Sequence, residues 1–323
     1  MCRSRTRIAG AEADTPPFKQ RRPARIPHPD VRAACIDIGS NTTRLLVAEP
    51  DAARPGHLTE VAAQRAFIRL TAQERRRGVP ADKAQAIAEA VSEQARAARG
   101  HGAGALRVVA TAALREAEGR DALLARLESA AGVRVEVLSG AEEARLAFAG
   151  ATAGLPAGTG LVLVADVGGG STELAAGVPG GAVQWWASLP IGSGALADAH
   201  LPGDPPTAGQ LAAARAQARA ALDAAGCPPA TVAWAVGGSA TSLRRLCGPE
   251  LSTAALERAL ARVCAAPAAE TAAGLGLHLE RVRLLPAGLV LLGEVARTAS
   301  CTLHVGGGGL REGVVLDLLG QVG

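Results

Sequence analysis

The chain has 323 residues, 48% of them hydrophobic, and a formal net charge of +4, which is enough for two domains and a sizeable core. No apolar stretch approaches the ~20 residues that span a bilayer, and the opening Met1-Cys2-Arg3-Ser4-Arg5-Thr6-Arg7 lacks the apolar core of a secretion signal, so a soluble, cytoplasmic protein with no membrane partner is expected. The six cysteines are scattered without C-x-x-C spacing, which points to neither a disulfide framework nor a zinc site.

Residues 1–30 carry seven basic and three acidic groups, and that excess is the whole of the net charge. They read as a disordered, proline-rich basic tail, and the charge-balanced body beyond offers no nucleic-acid-binding face. From there the hydrophobic pattern predicts strands over 32–38, 43–49 and 58–70, a helix over 82–99 ended by Gly100 and Gly102, a strand over 106–111, a helix over 121–131, a strand over 133–138 and a helix over 140–153. A second series follows: strands over 160–167, 172–178 and 182–190, a helix over 207–225, a strand over 231–236, helices over 239–247, 252–265 and 286–299, a strand over 302–305 and a last helix over 310–319. With allowance for inserted helices the first order recurs, and a repeat of about 130 residues fits a duplicated α/β domain better than a solenoid.

The duplication is plainest in two turns. Asp37-Ile38-Gly39-Ser40-Asn41-Thr42-Thr43-Arg44-Leu45 and Asp166-Val167-Gly168-Gly169-Gly170-Ser171-Thr172-Glu173-Leu174 both read D-[IV]-G-[SG]-[NG]-[ST]-T-x-L between apolar runs, as a tight turn joining two strands does. One copy alone reads as hairpin punctuation. Two copies point to facing phosphate loops, because Gly, Ser, Asn and Thr aim N–H groups and hydroxyls at one spot. The candidate phosphate ligands are Ser40, Asn41, Thr42, Gly168, Gly169, Gly170, Ser171 and Thr172. Asp37, Asp166 and Glu173 are candidate metal ligands, since carboxylates together with substrate phosphates are how proteins hold Mg2+; Glu173 reads equally as an exposed strand residue. Gly237-Gly238-Ser239 enters a helix from a strand, which suits either an anion or only a tight turn.

Ser139-Gly140-Ala141-Glu142 predicts a capping box, with Glu142 reaching back to the serine N–H. Glu143 has no such task and shares an i, i+3, i+4, i+7 stripe with Leu146, Ala147 and Gly150, which should face the interior. Burial there raises a carboxyl pKa and makes a base near neutrality; the alternative is a glutamate favoured by the helix dipole. Arg115, just past a strand, is either a phosphate ligand through its planar fork or a solvated residue at a helix start.

Together with Ala110-Thr111-Ala112-Ala113-Leu114-Arg115-Glu116-Ala117 and Gly309-Leu310-Arg311-Glu312-Gly313, these motifs resemble, in order, the exopolyphosphatase/guanosine pentaphosphate phosphohydrolase family. The resemblance implies two ribonuclease H-like α/β domains of actin and sugar-kinase type, 31–145 and 146–323, around an interdomain cleft, with the last helix packing back on the first domain. It implies Glu143 as catalytic base, Asp166 and Glu173 as metal-linked acids, Arg115 in the phosphate cleft, and Mg2+, or Mn2+ in its place, as cofactor. The expected reaction is release of terminal orthophosphate from polyphosphate, short chains above all, with a homodimer by analogy. Guanosine pentaphosphate is the alternative substrate; a sugar or carboxylate kinase and a non-catalytic polyphosphate or alarmone sensor are the rivals. The chain reads as the short two-domain form. Two segments depart from the family pattern: Arg69-Leu70-Thr71-Ala72-Gln73-Glu74-Arg75-Arg76-Arg77 replaces a glycine-rich run, and Ala195-Leu196-Ala197-Asp198-Ala199-His200 replaces a basic, hydroxyl-bearing one. Both bear on substrate grip and chain-length preference.

Overall fold

A sheet built twice organises the molecule, whose computed structural model describes residues 31–115, 117–156 and 158–320. The basic tail lies outside the described residues. The first half runs β1 (Arg32–Ile38), β2 (Thr42–Pro50), β3 (Leu58–Phe67), α1 (Ala72–Arg77), α2 (Ala81–Gly100), β4 (Ala103–Ala110), α3 (Ala112–Arg115), α4 (Arg120–Ala131), β5 (Val135–Val137) and α5 (Gly140–Thr152). Its sheet has the order β3-β2-β1-β4-β5, an antiparallel meander joined by two parallel strands.

The second half runs β6 (Val162–Val167), β7 (Thr172–Gly177), β8 (Val183–Leu189), α6 (Ser193–His200), α7 (Ala208–Ala225), β9 (Val232–Val236), α8 (Gly237–Cys247), β10 (Glu250–Leu251), α9 (Thr253–Val263), α10 (Ala268–Leu275), α11 (Leu279–Val282), α12 (Leu285–Thr298), β11 (Leu303–Val305) and α13 (Leu310–Leu318). The sheet order, β8-β7-β6-β9-β11 with β10 added at the edge, repeats the first. This is the α/β fold class expected from the sequence, one α/β unit built twice around a cleft. The central strands are buried on both faces because helices cover both: β6 and β7 are buried throughout, while the edge strand β3 mixes half-buried and exposed residues. The sequence pattern does not predict α1, α3, α6, α10, α11 or β10. Each is at most 8 residues of helix or 2 of strand, too short to display a period.

The two units exchange helices. From the first half, α5 lays Ala144 and Phe148 against Val162, Val164 and Ala175 of the second sheet. From the second half, α13 lays Leu310, Val314 and Val315 against Ala33, Cys35 and Leu46 of the first. Each large apolar side chain buried this way contributes on the order of 2 kcal/mol. Where the two helices cross, Gly313 and Gly150 bring backbone against backbone: a Cβ on Gly313 would overlap the Leu146 carbonyl, and one on Gly150 the Gly309 carbonyl. That approach fixes where the N-terminus of α5, and with it Glu143, sits between the sheets. Only half of the expected capping box forms there. The Ser139 hydroxyl accepts from the Glu142 N–H at 3.2 Å, but the Glu142 side chain turns to Arg107 at 3.7 Å and Arg145 at 4.0 Å. Two guanidiniums hold the carboxylate more strongly than one backbone N–H.

Candidate active site

Both glycine turns close in the same way. The Gly39 N–H donates to the Thr42 carbonyl at 3.0 Å, and the Gly168 N–H donates to the Ser171 carbonyl at 3.0 Å. The turns then meet face to face: a Cβ on Gly170 would lie 2.5 Å from the Ser40 hydroxyl, and one on Gly169 would overlap the Asn41 amide. Glycine is needed at 169 and 170 for this approach. The Ser40 Oγ and Asn41 Oδ1, with Nε of Arg44 and of Arg281, are buried yet have no hydrogen-bond partner among the described residues. Buried polar atoms without partners are rare, and the three donors among them, the Ser40 hydroxyl and the two guanidinium nitrogens, mark a binding site for an anionic group.

The acids behind the turns differ in their neighbours. In the first hairpin Asp37 pairs across the strands with Arg44, whose Nη2 is 3.1 Å from Oδ2. In the second, the same position opposite Asp166 holds Glu173. Burial raises Asp166 to about 6, and the Asp37 charge adds to the rise that Arg44 opposes. Burial, then the Asp166 charge, raises Glu173 to about 7, although the Ser188 hydroxyl donates to it at 2.8 Å. Glu143 is buried on the first turn of α5, and burial followed by the Glu173 charge pushes it well above the usual carboxyl range. The Arg115 guanidinium, 3.0 Å from Glu143 and 3.9 Å from Glu173, limits that rise. A carboxylate raised toward neutrality beside an anion cleft has the properties of a general base.

A profile of the Ppx/GppA phosphatase family matches residues 51–322. The chain belongs to that family. Exopolyphosphatase 1 of Mycobacterium leprae is 32% identical over 312 residues, covering 90% of each chain. A guanosine-5'-triphosphate,3'-diphosphate pyrophosphatase of Aeromonas salmonicida is 29% identical over 89% of this chain and 59% of its own length. A crystal structure of the Aquifex aeolicus member of the Ppx/GppA family superposes with a TM-score of 0.75 at 25% identity, covering 90% of this chain and 97% of the other.

In this Ppx/GppA chain the cleft between the units is lined by Asp37, Ser40, Asn41, Thr42, Glu143, Asp166, Gly168, Gly169, Gly170, Ser171, Gly238 and Ser239. The remaining residues singled out in the sequence lie behind that wall. The Thr172 hydroxyl donates to the Ile191 carbonyl at 2.6 Å, which ties β7 to the following loop. Gly237, at φ +82°, brings its backbone so close to Asp166 that a Cβ would overlap the carboxylate. Arg115 stands behind Glu143, anchored to the Leu138 carbonyl at 2.9 Å. Glu173 sits with Glu143, Arg115 and Ser188 rather than in the wall. Four further residues join the site. Arg44 and Arg281 line the cleft, Ser193 donates to the Gly168 carbonyl at 3.1 Å and braces the second turn, and Ser188 holds Glu173. Arg281 is buried without an ion pair among the described residues. Burial and the cations of Arg65 and Arg44 lower it to about 10, a crowding of positive charge that an anion relieves.

Among the described residues no group of three His, Cys, Asp or Glu side chains converges on one point to hold a metal. Asp37 and Asp166 nonetheless fit Mg2+, which is commonly held by one or two carboxylates and takes its other ligands from phosphates and water. Burial raises Asp166 even with Arg44 nearby, so a further cation would stabilise its charged form.

Proposed function

We propose that this protein is a Mg2+-dependent phosphoanhydride hydrolase that releases orthophosphate from the end of inorganic polyphosphate. The observation that carries the reading is Glu143, a buried carboxyl raised above its usual range, beside two facing turns of N–H and hydroxyl donors. The named activity of the Mycobacterium leprae relative supports it. With the terminal phosphoryl group between the turns, Glu143 accepts a proton from water as the water oxygen attacks phosphorus in line. The bond from phosphorus to the bridging oxygen breaks, and the shortened chain leaves with the electron pair. Turn N–H groups, Arg44 and Arg281 offset the charge on the phosphoryl oxygens. Asp37 and Asp166 would hold Mg2+, which when bound supplies further neutralisation of those oxygens. Arg115 acts on Glu143 rather than on substrate, limiting how far the base is raised.

Hydrolysis of guanosine pentaphosphate is the second reading. A cavity of about 290 Å3 adjoins the turns through Asn41, Thr42 and Arg281, and Phe67, Ile68 and Leu284 in its wall suit a nucleoside better than a phosphate chain. The test is orthophosphate release from tripolyphosphate and from guanosine pentaphosphate, with and without Mg2+, by the wild type and Glu143→Gln. Release that needs the metal and falls by about 10²–10⁴ in the variant is expected, and the faster substrate decides between the readings. Full turnover by Glu143→Gln would refute the assigned base. Tight binding of either substrate with no release would make the protein a sensor.

A further inference from the structure

The two segments that depart from the family pattern in sequence meet in the structure. The Arg69 guanidinium, on the loop after β3, donates to one oxygen of the Asp198 carboxylate on α6. The Ala72 N–H, at the start of α1, donates to the other oxygen at 3.3 Å. Nη1 of Arg69 also lies 3.8 Å from Glu280 on α11. Alongside, Phe67 stacks on His278 with ring centroids 4.3 Å apart and 6° between the planes. In each contact one partner comes from the first unit and one from the second, so together they close the space between the units on this side of the cleft.

What they close over is the path away from the turns. Arg69 and Glu280 line the 290 Å3 cavity, which shares Asn41, Thr42 and Arg281 with the phosphate cleft. Whatever is attached to a phosphate held at those three residues extends into it. The cations of its wall are Arg69, Lys83 and Arg281. Lys83 is 2.7 Å from Glu74 and Arg69 is held by Asp198 and Glu280, so past Arg281 a polyanion meets cations that carboxylates already occupy.

We propose that Arg69 and Asp198 form an interdomain latch with which the distal phosphates of a chain substrate compete, so that this pair, outside the catalytic turns, sets how affinity depends on chain length. The proposal rests on the polyphosphate reading above. The pair can exchange because it is only partly buried: Arg69 is 27% exposed, Asp198 21% and Glu280 31%, so water and salt screen it. Phosphate oxygens also match the planar fork of a guanidinium as well as a carboxylate does. Binding of a long chain is then a swap of anions on Arg69, with the Asp198 and Glu280 carboxylates released to water. A chain too short to reach Arg69 leaves the latch shut.

The test is steady-state phosphate release from tripolyphosphate and from long-chain polyphosphate by the wild type, Asp198→Ala, Arg69→Gln and the double variant, with small-angle X-ray scattering of each unliganded protein. Asp198→Ala should lower KM for the long chain by about fivefold, the scale of one partly exposed ion pair. It should leave the tripolyphosphate KM and both kcat values within about twofold of the wild type and enlarge the unliganded particle. Arg69→Gln should enlarge the particle too but raise the long-chain KM, and the double variant should behave as Arg69→Gln does. Equal KM shifts for the two substrates, or an altered melting temperature with both KM values unmoved, overturn the latch. If the wild type hydrolyses neither chain, the polyphosphate hydrolase reading fails by itself. The latch is then judged by calorimetric binding of the same two chains, where an effect of Asp198→Ala confined to the long chain upholds it and any other pattern overturns it.

Discussion

The two hairpins that make the site share their backbone and differ at one decisive position. Each carries an aspartate as the next-to-last residue of its first strand, closes through a glycine N–H to a carbonyl at 3.0 Å, and returns with a residue directly across from the aspartate. In the first hairpin that residue is Arg44; in the second it is Glu173. Arg44 neutralises Asp37 and still presents an unpartnered Nε. Glu173 offers Asp166 no counter-charge across the strands, which leaves the Arg44 and Arg311 guanidiniums against the burial of Asp166, and the Glu173 charge adds to the rise of Glu143. The same frame thus occurs twice, and a single cross-strand residue makes one copy an ion pair and the other an acid pair, whose pKa values burial raises first of all. Raised values are what proton transfer near neutrality needs.

Making the hairpins alike should break the site. Arg44→Glu would set an acid pair opposite both turns, and it is expected to lower kcat/KM for phosphate release by about 10³ and to cost about 3–5 kcal/mol in urea unfolding, the scale for removing one partner of a buried ion pair. Arg44→Lys should recover stability more than KM, because the ammonium lacks the planar fork. An activity unaffected by Arg44→Glu would mean that the charge difference between the turns is incidental.

Glu173→Gln probes the other hairpin. Because the Glu173 carboxyl is raised from 4.5 to about 7, the folded chain binds a proton that the unfolded chain has released. Its contribution to stability is therefore complete below about pH 4.5 and is lost as pH rises toward 7. The shift corresponds to on the order of 3 kcal/mol. Glu173→Gln should flatten this fall in the melting temperature between about pH 5 and pH 8. Without the Glu173 charge the Glu143 pKa also drops, so the acidic limb of the pH–rate profile should move to lower pH; a limb that stays in place would separate the two carboxyls. The smallest expected effect is that of Ser188→Ala. Losing a hydrogen bond that favours the charged Glu173 keeps that carboxyl neutral to higher pH, so the same limb should move to lower pH, as in Glu173→Gln but by less than about one unit, at a cost of about 1 kcal/mol.

How legible each residue was depends on where its partners lie along the chain. The turns were visible because a phosphate-shaped turn is contiguous, and its second copy repeats the same acid, hydroxyl and leucine order. Glu143 was visible because a helix repeats every 3.6 residues, so a lone carboxylate on an apolar stripe stands out. Arg44 was spelled within the motif, but its task appears only in the register that puts it across from Asp37. Arg281 carried no signal: α11 is a single turn of helix, too short for a period, and its neighbours in the site, Ser239 and Leu310 the nearest along the chain, come from other elements. Arg115 was visible as a motif residue, yet its contacts come from Leu138, Glu143 and Glu173, which only folding assembles.

Sequence alone determined the repeated α/β order, the two turns and the buried stripe of α5, because each is a local pattern of side chains imposed by backbone geometry. Tertiary structure decided which charges face one another: that Arg44 meets Asp37, that Glu173 meets Asp166 and Glu143, and that Arg69 meets Asp198. Electrostatic energy depends on distance and burial, and neither can be read along the chain until two separate sheets have been brought together by helices that cross on glycine.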